Sequence, residues 1–267
     1  MAKQRVITLL TDFGTSDHYV AAMKGVMLAV MPEATLVDIT HELPPGDILA
    51  GAFVLAQALP HFPPGTVHCV VVDPTVGTDR RALAAVYGGQ TVVFPDNGVI
   101  TLVNRSRPLE AIAVVRDERY FLSSGLSSTF HGRDLFAPVA AHLAAGLGVE
   151  RLGPQPENIT LLELPEPQRR GDAEVLGQVL HVDRFGNLIS NIPATMLEAP
   201  VEPDRPCEVF CGDQPAGPLR PTYAVVERGQ PLALINSMGL VEVAVNGGSA
   251  AEHFGAGVGA EIRVRLA

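Results

Sequence analysis

The residues best able to do chemistry in this chain stand at the end of one apolar run. The valines at residues 70–72 are followed at once by Asp73, and Arg80 comes after the turn-forming sequence Pro-Thr-Val-Gly-Thr-Asp. A β-branched run that stops at an acid and a proline is typical of a buried strand that feeds a loop at its carboxyl end. Ligands bind at that edge in open α/β sheets. A carboxylate and a guanidinium there predict a site for a polar or ionising ligand, and a solvated loop with two unrelated charges is the alternative.

Two further loops carry ionisable side chains. One follows the strand predicted at residues 6–10, and the other precedes a helical pattern that begins near residue 135. With the first loop, they bring five side chains to one predicted cleft: Asp12, Asp17, Asp73, Arg80 and His131. Plainer interpretations also fit, because Asp17 and Asp134 are suited to cap helices, and a single histidine is more often an ordinary hydrogen-bonded residue.

The elements around these loops predict an α/β fold for the first part of the chain. Strands at residues 6–10, 36–39 and 67–72 alternate with helical patterns at 19–31 and 47–59. Asp47 is suited to cap the second helix, and Pro138 lies where a helix tolerates it, in the first turn. Alternating strands and helices are typical of a mainly parallel sheet covered on both faces.

A change of character near residues 163–172, which are polar and rich in proline, predicts a domain boundary. We assign residues 1–165 to the α/β domain and residues 172–267 to a smaller all-β domain. Short strand patterns between Gly, Pro and Asn turns predict an antiparallel β-barrel or sandwich there. The predicted strands are residues 177–182, 188–191, 208–210, 223–226, 232–235, 240–245 and 261–266.

Composition narrows the class of partner. The net charge of -10 and the absence of a basic run argue against nucleic acid. No apolar run is long enough to span a bilayer and no signal-peptide pattern begins the chain, so we expect a cytoplasmic protein without membrane contacts. Cys69, Cys207 and Cys211 form no CxxC pair, which predicts buried apolar residues rather than a disulfide framework or a zinc site.

Six separated motifs closely resemble the S-adenosylmethionine (SAM) hydroxide adenosyltransferase family, once known as domain of unknown function 62 and related to the fluorinase and chlorinase. The matching motifs lie in order along nearly the whole chain. They are Thr11-Asp12-Phe13-Gly14 with Asp17, Tyr19 and Met23-Lys24-Gly25; Val72-Asp73-Pro74 with Gly77-Thr78 and Arg80; Phe94-Pro95-Asp96-Asn97-Gly98; Phe130-His131-Gly132-Arg133-Asp134 with Ala137-Pro138; Val182-Asp183-Arg184-Phe185-Gly186-Asn187 with Asn191-Ile192; and Asn236-Ser237 with Asn246 and Gly248-Ser249-Ala250.

The resemblance implies that water or hydroxide displaces methionine from C5′ of SAM, giving adenosine and L-methionine without a cofactor or a metal. It implies that Asp73, Arg80 and His131 bind and polarise the water, and it leaves open whether Asp73 or His131 accepts the proton. The resemblance also implies contacts to the rest of the substrate. These are Asp12 and the nearby Asp17 at the ribose, Asp183 at the methionine ammonium, Asn187 at adenine, Phe185 packed on the ligand and Ser237 at the methionine carboxylate.

The same resemblance implies a homotrimer, with each site between the first domain of one subunit and the second domain of its neighbour. Three positions depart from related patterns. Gly132 stands where the halogenases carry a serine for the halide, Met238 where the fluorinase has an arginine, and Thr75 where glycine is common. The alternatives are a halogenase that forms 5′-halo-5′-deoxyadenosine and a non-catalytic module that binds adenosine or SAM.

Overall fold

The structure, a computed structural model, describes residues 5–122, 125–197 and 207–266. The chain divides into two compact units, Met1–Leu162 and Glu163–Ala267. Each unit has its own hydrophobic core.

The first unit is a six-stranded sheet with helices on both faces. Its strands are β1 (Val6–Thr11), β2 (Thr35–Thr40), β3 (Val67–Val71), β4 (Ala82–Tyr87), β5 (Gln90–Pro95) and β6 (Leu109–Val114). Its helices are α1 (Tyr19–Val30), α2 (Ile48–Ala58), α3 (Thr101–Ser106) and α4 (Ala137–Ala144). A π-helical turn, Gly132–Phe136, runs directly into α4.

The strand order β2-β1-β3-β5-β4-β6 places the site-bearing loops side by side. β1 pairs in parallel with both β2 and β3, and Thr11 is in register with Val71. β3 and β5 are also parallel, whereas β4 is antiparallel to its two neighbours. The predicted mainly parallel sheet is confirmed, and the loops after β1 and β3 leave it at the same edge.

Helices pack on this sheet through residues at helical spacing. Val20, Met23 and Met27 are the buried face of α1. The carboxylate of Asp47 accepts a hydrogen bond from the backbone N–H of Ala50 at 2.9 Å, as predicted for a helix cap. α4 begins with a proline in its first turn, where the missing N–H costs no helical hydrogen bond.

The second unit is a closed seven-stranded β-barrel with one added edge strand. Around the barrel, the order is β14-β10-β11-β12-β13-β9-β8, and β8 pairs again with β14. The strands are β7 (Gln168–Arg170, the edge strand), β8 (Glu174–Val182), β9 (Leu188–Pro193), β10 (Glu208–Cys211), β11 (Gln214–Arg220), β12 (Pro231–Ile235), β13 (Leu240–Val245) and β14 (Glu261–Arg265). A short helix, α5 (Ala250–Phe254), follows β13.

One prediction for this unit is wrong, and two strands, β7 and β11, were not predicted. Residues 223–226 do not form a strand, because Tyr223–Val225 is a 3₁₀ turn. β11 was not predicted, because two prolines and a glycine interrupt its apolar pattern. β11 and β12 also pair in parallel, the exception in an otherwise antiparallel barrel.

Burial confirms the interpretation of the cysteines, since Cys69, Cys207 and Cys211 are all buried. Across the residues that the structure describes, no helix combines the length and the apolar character needed to cross a membrane.

Candidate active site

The loop after β3 carries Asp73 and Arg80, and it packs against the segment that leads to His131. Gly77, in the middle of this loop, adopts φ +82°. A Cβ at this position would lie 2.3 Å from the carbonyl oxygen of Ser128. Glycine is required both for the left-handed backbone and for this close approach. The contact fixes the loop where Arg80 can reach His131.

Arg80 joins the other two residues into one hydrogen-bonded group, hereafter the Arg80 cluster. Its Nε donates to Asp73 Oδ2 at 2.8 Å, and its Nη2 lies 2.5 Å from the same oxygen. Nη2 is also 2.8 Å from His131 Nδ1. The Arg80 and Asp73 side chains are only 8% and 3% exposed. Little water competes for these charge-assisted hydrogen bonds, which hold the cluster in one geometry.

The contact with Arg80 determines which nitrogen of His131 carries the hydrogen. A guanidinium only donates, so Nδ1 accepts, and the network assigns the hydrogen of the neutral ring to Nε2. Burial lowers the pKa of His131 from its ordinary value of 6.5, and the positive charge of Arg80 lowers it further, against the charges of Asp73 and Asp134 and a hydrogen bond to the Ser127 backbone. His131 is therefore a neutral ring at pH 7 that carries its hydrogen on Nε2.

Thr75 and Phe136 complete the surroundings of the cluster. The hydroxyl of Thr75 donates to Asp73 Oδ1 at 3.2 Å, so this departure from the common glycine makes a contact with the candidate acid. The guanidinium carbon of Arg80 lies 5.3 Å from the centre of the Phe136 ring. Within the described part of the chain, Arg80 Nη1 has no hydrogen-bond partner. Asp73 Oδ1 and Arg80 Nη1 are thus polar atoms left to receive a small ligand, beside the His131 ring, which also interacts with the Ser127 backbone.

Gly132, next to His131, lies against an aromatic group. A Cβ at Gly132 would be 3.2 Å from the Phe13 ring and 3.3 Å from the sulfur of Met23. The Phe13 ring centre is 6.1 Å from that of Phe130 and 5.9 Å from that of Tyr19. A serine at position 132 would have to displace these neighbours.

The helix-cap interpretations of Asp134 and Asp17 are wrong. Asp134 is fully buried inside the π-helical turn, where it accepts from the Ser127 backbone N–H at 2.9 Å and from Arg133 Nε at 2.6 Å. It ties the segment before His131 to α4. Asp17 is exposed, and His18 occupies the N-cap position of α1.

Asp12 lies on the loop after β1 and faces the loop after β2. Its Oδ2 accepts from the backbone N–H of Gly46 at 2.7 Å. Among the residues described, no hydrogen bond connects Asp12 or Asp17 to the Arg80 cluster. The sheet topology places the Asp12 loop beside the cluster's loop, at the edge where β1 and β3 end.

In the second unit, Asp183 closes the turn between β8 and β9. Its Oδ1 accepts from the backbone N–H groups of Phe185 and Asn187, each at 2.9 Å, and its Oδ2 accepts from Asn187 Nδ2 at 2.9 Å. Gly186 has φ +81°, and a Cβ there would lie 2.2 Å from the hydroxyl of Ser249. Ser249 caps α5, so the turn rests on the start of that helix.

A cavity of about 530 Å³ opens beside this turn, within the size range of small-molecule sites. Its lining residues are Asp183, Phe185, Asn187, Tyr223, Val245, Gly247 and Gly248. Phe185 is 76% exposed, whereas Asn187 is buried. The structure thus brings three of the four predicted second-unit residues to one cavity. Ser237 is exposed on the turn between β12 and β13, outside the lining.

Sequence reasoning missed Tyr223, which lines the cavity, and Glu242, whose carboxylate accepts from the Tyr223 hydroxyl at 2.6 Å. A signal for Glu242 was present, because it is the only charged residue in the apolar strand β13. In the described ranges, no group of three or more His, Cys, Asp or Glu side chains is placed to hold a metal ion.

Family models match both units. Residues 7–153 match the model described as SAM hydroxide adenosyltransferase N-terminal domain, and residues 177–263 match the corresponding C-terminal domain. The chain belongs to the SAM hydroxide adenosyltransferase family. Both units of the fold therefore correspond to domains of that family.

Individual relatives agree with the family assignment. A Salinispora tropica protein named (R)-S-adenosyl-L-methionine hydrolase is 42% identical, and the alignment covers 99% of each chain. A Thermus thermophilus protein of the same name is 43% identical over 97% of this chain and 99% of its own. The crystal structure of an uncharacterized conserved protein from Thermotoga maritima superposes with a TM-score of 0.90 at 37% identity, covering 97% of this chain and 99% of that one.

A protein named as a fluorinase is less similar to this chain. A protein from Nocardia brasiliensis named fluorinase is 29% identical, over 99% of this chain and 98% of its own. The identity is thus clearly higher to the proteins named as hydrolases.

Proposed function

We propose that this protein hydrolyses SAM to adenosine and L-methionine. The observation that carries the proposal is the Arg80 cluster, a buried acid, a guanidinium and a neutral imidazole joined at 2.8 Å or less, with polar atoms left over for a water molecule. The family assignment and the names of the relatives supply the substrate class.

In the proposed reaction the water oxygen forms a bond to C5′ of the ribose. The bond from C5′ to the sulfonium sulfur breaks, its electron pair stays on sulfur, and methionine leaves as a neutral thioether. The water loses one proton, and the charge of the sulfonium disappears. Because the leaving group already carries a positive charge, the protein needs chiefly to hold the water in line and to keep bulk solvent out.

The geometry assigns separate roles within the cluster. His131 Nε2–H is a donor, so it orients a water or hydroxide oxygen rather than removing its proton. Asp73 Oδ1 accepts only the long contact from Thr75 among the described residues, and a carboxylate oxygen has a further lone pair for a water hydrogen. Arg80 favours the negative charge that develops on the nucleophile. We therefore propose Asp73 as the proton acceptor.

The remaining contacts in the proposal concern the substrate. Asp12, with Asp17 near it, holds the ribose hydroxyls, Asp183 binds the methionine ammonium, and Ser237 binds the methionine carboxylate. Asn187 contacts adenine and Phe185 packs on the ligand. Asp183, Phe185 and Asn187 line the same cavity, which supports the contacts proposed for these three residues. Phe185 is exposed, so its ring is free to cover a ligand.

Incubating purified protein with SAM, and following adenosine and methionine by chromatography, tests this proposal. Asp73→Asn is expected to lower kcat about a hundredfold, a size usual for the loss of a proton-transfer group. Asp96→Asn is the matched control, because Asp96 is equally buried at 9% and pairs with the neighbouring Arg81. Equal losses in both variants, or no adenosine from the wild type, would contradict the proposal.

The same assay separates the alternatives. Formation of 5′-halo-5′-deoxyadenosine that depends on chloride or fluoride would identify a halogenase. Binding of SAM in a calorimeter without any product would identify a binding module. Running the reaction with both sulfonium epimers shows whether the chain prefers the (R) form named for its relatives. Turnover that is unchanged by a chelator would support the proposal that no metal or other cofactor takes part.

We further propose that the chain acts as a homotrimer, with each site completed by the second unit of a neighbouring subunit. Native mass spectrometry gives the number of subunits. Co-expressing an Arg80→Ala chain with an Asp183→Ala chain tests the shared site. If the two chains mix at random in a closed ring, roughly a quarter of the sites should combine an intact first unit from an Asp183→Ala chain with an intact second unit from an Arg80→Ala chain. These sites should regain activity. Sites contained in a single chain would recover nothing.

A further inference from the structure

Glu242 is a buried acid that the proposed reaction does not use. It lies on β13 between Val241 and Val243, which belong to the core of the second unit, and it is only 3% exposed. Because side chains alternate along a strand, Glu242 shares a face with Ala244. That face is covered by a small apolar group of Leu232, Leu234 and Ala244 and by the partly buried Val226.

The two oxygens of Glu242 reach two different segments, one of which lines the cavity. Oε1 accepts from the Tyr223 hydroxyl at 2.6 Å, and Tyr223 lines the cavity beside Asp183. Oε2 accepts from Asn236 Nδ2 at 3.1 Å. The side-chain oxygen of Asn236 in turn accepts from the backbone N–H groups of Met238 and Leu240 at 3.0 and 3.1 Å. This second connection shapes the turn that carries Ser237.

Glu242 also faces the charge of a cavity residue. Burial raises the pKa of the Glu242 carboxyl, the hydrogen bonds from Tyr223 and Asn236 oppose that rise, and the negative charge of Asp183 adds to it. A buried carboxylate next to another acid is costly for a purely structural role, since a neutral residue of similar shape usually serves as well or better. Such a cost is expected where the acid has a functional task.

We infer that Glu242 is a positioning residue for substrate binding, because it ties the Tyr223 wall of the cavity and the Ser237 turn to one rigid strand. The inference rests on the proposed hydrolysis of SAM. Glu242 touches neither reacting atoms nor substrate, and it acts through Tyr223 and Asn236. Its loss is expected to weaken binding of SAM and to leave the chemical step, which belongs to the Arg80 cluster, nearly intact.

Glu242→Gln tests this role with little change in shape. Glutamine removes the negative charge and offers a single acceptor oxygen, so the two separate charge-assisted hydrogen bonds from Tyr223 and Asn236 cannot both be kept as they are. The KM for SAM and its dissociation constant by calorimetry should rise about tenfold, the usual effect of losing a hydrogen bond to a charged group, whereas kcat should stay within about twofold. Glu174→Gln, in the same barrel, removes an acid that pairs with Arg263 and should change neither constant.

Tyr223→Phe provides a second arm if Glu242→Gln does not fold, and it should also raise KM. When both variants fold, the double variant should bind SAM about as well as Glu242→Gln alone, because the two side chains act as one unit. An unchanged KM in a folded Glu242→Gln or Tyr223→Phe protein, or an equal rise in Glu174→Gln, would overturn the inference. A wild type that produces no adenosine would instead refute the proposed function, and the dissociation constants would still test the positioning role.

Discussion

Replacing Arg80 by lysine keeps a positive charge in the Arg80 cluster but removes the fork that joins its members. The guanidinium contacts Asp73 through Nε and Nη2 and His131 through Nη2. A lysine has a single nitrogen on a flexible stem, so it can pair with Asp73 but cannot reproduce both contacts in the same geometry. Alanine would be a poorer probe, since it would strand the buried Asp73 carboxylate without a partner.

The size of the effect follows from the hydrogen bonds that a lysine cannot make. A hydrogen bond to a charged group is worth about 1.5 to 3 kcal/mol, and each 1.4 kcal/mol corresponds to about a tenfold change in rate. We therefore expect Arg80→Lys to lower kcat by about ten- to a hundredfold. KM should change little, because the proposed partner of the cluster is the water rather than the nucleoside.

Arg81→Lys is the matched control. Arg81 is the next residue, and it also donates through Nε and Nη2 to a single buried acid, Asp96. Steady-state formation of adenosine from SAM gives the kinetic constants, and thermal unfolding shows whether either variant is damaged. A kcat for Arg80→Lys within twofold of wild type, or an equal fall in Arg81→Lys, would refute the role assigned to the fork.

Three further predictions concern other parts of the first unit. Protonating His131 at Nδ1 would break its bond to the guanidinium, so kcat/KM should fall as the pH drops through a pKa below 6.5. His131→Asn should remove this acid limb from the pH profile, and a limb that persists would mean that another group causes it. Gly77→Ala should lower stability by about 1–3 kcal/mol in chemical denaturation and should reduce turnover, because it adds a clash to backbone strain. Gly125 has φ +88° but open space where a Cβ would stand, so Gly125→Ala adds strain without a clash. A similar loss of turnover in Gly125→Ala would exclude the clash with Ser128 as the cause in Gly77→Ala. Burial lowers the pKa of His68 to about 4. The stability that the protein gains from the neutral, buried His68 is therefore complete above pH 6.5, the ordinary pKa, and is lost as the pH falls through about 4. In His68→Gln, the free energy of unfolding should fall by up to about 3 kcal/mol less than in the wild type over this pH range. An unchanged pH dependence would show that other groups cause the loss of stability.

The sequence predicted the first unit well because its signals are local. β-branched runs, the Asp47 cap and the helical spacing of α1 each depend on nearby residues, and parallel pairing follows from the alternation of strands and helices. The shared edge of β1 and β3 then brought the loops of Asp12 and Asp73 side by side.

What the sequence could not show depends on contacts between distant residues. The acceptor role of His131 Nδ1 is visible only once Arg80 is seen 51 positions away in sequence and 2.8 Å away in space. Asp134 has the composition of a helix cap, yet tertiary contacts bury it inside a π-helical turn. β11 was hidden by its prolines, and with it the parallel pairing that leads to β12 and the Tyr223 turn.

If water attacks C5′ of SAM, the new hydroxyl oxygen of adenosine comes from the solvent, and an isotope experiment can follow that oxygen. The protein is incubated with SAM in water enriched in oxygen-18, and both products are analysed by mass spectrometry. We expect one heavy oxygen in the 5′-hydroxyl of adenosine and none in methionine, and we expect Arg80→Lys to form much less of the labelled adenosine. Adenosine formed without the label, or a label carried by the amino-acid product, would contradict it.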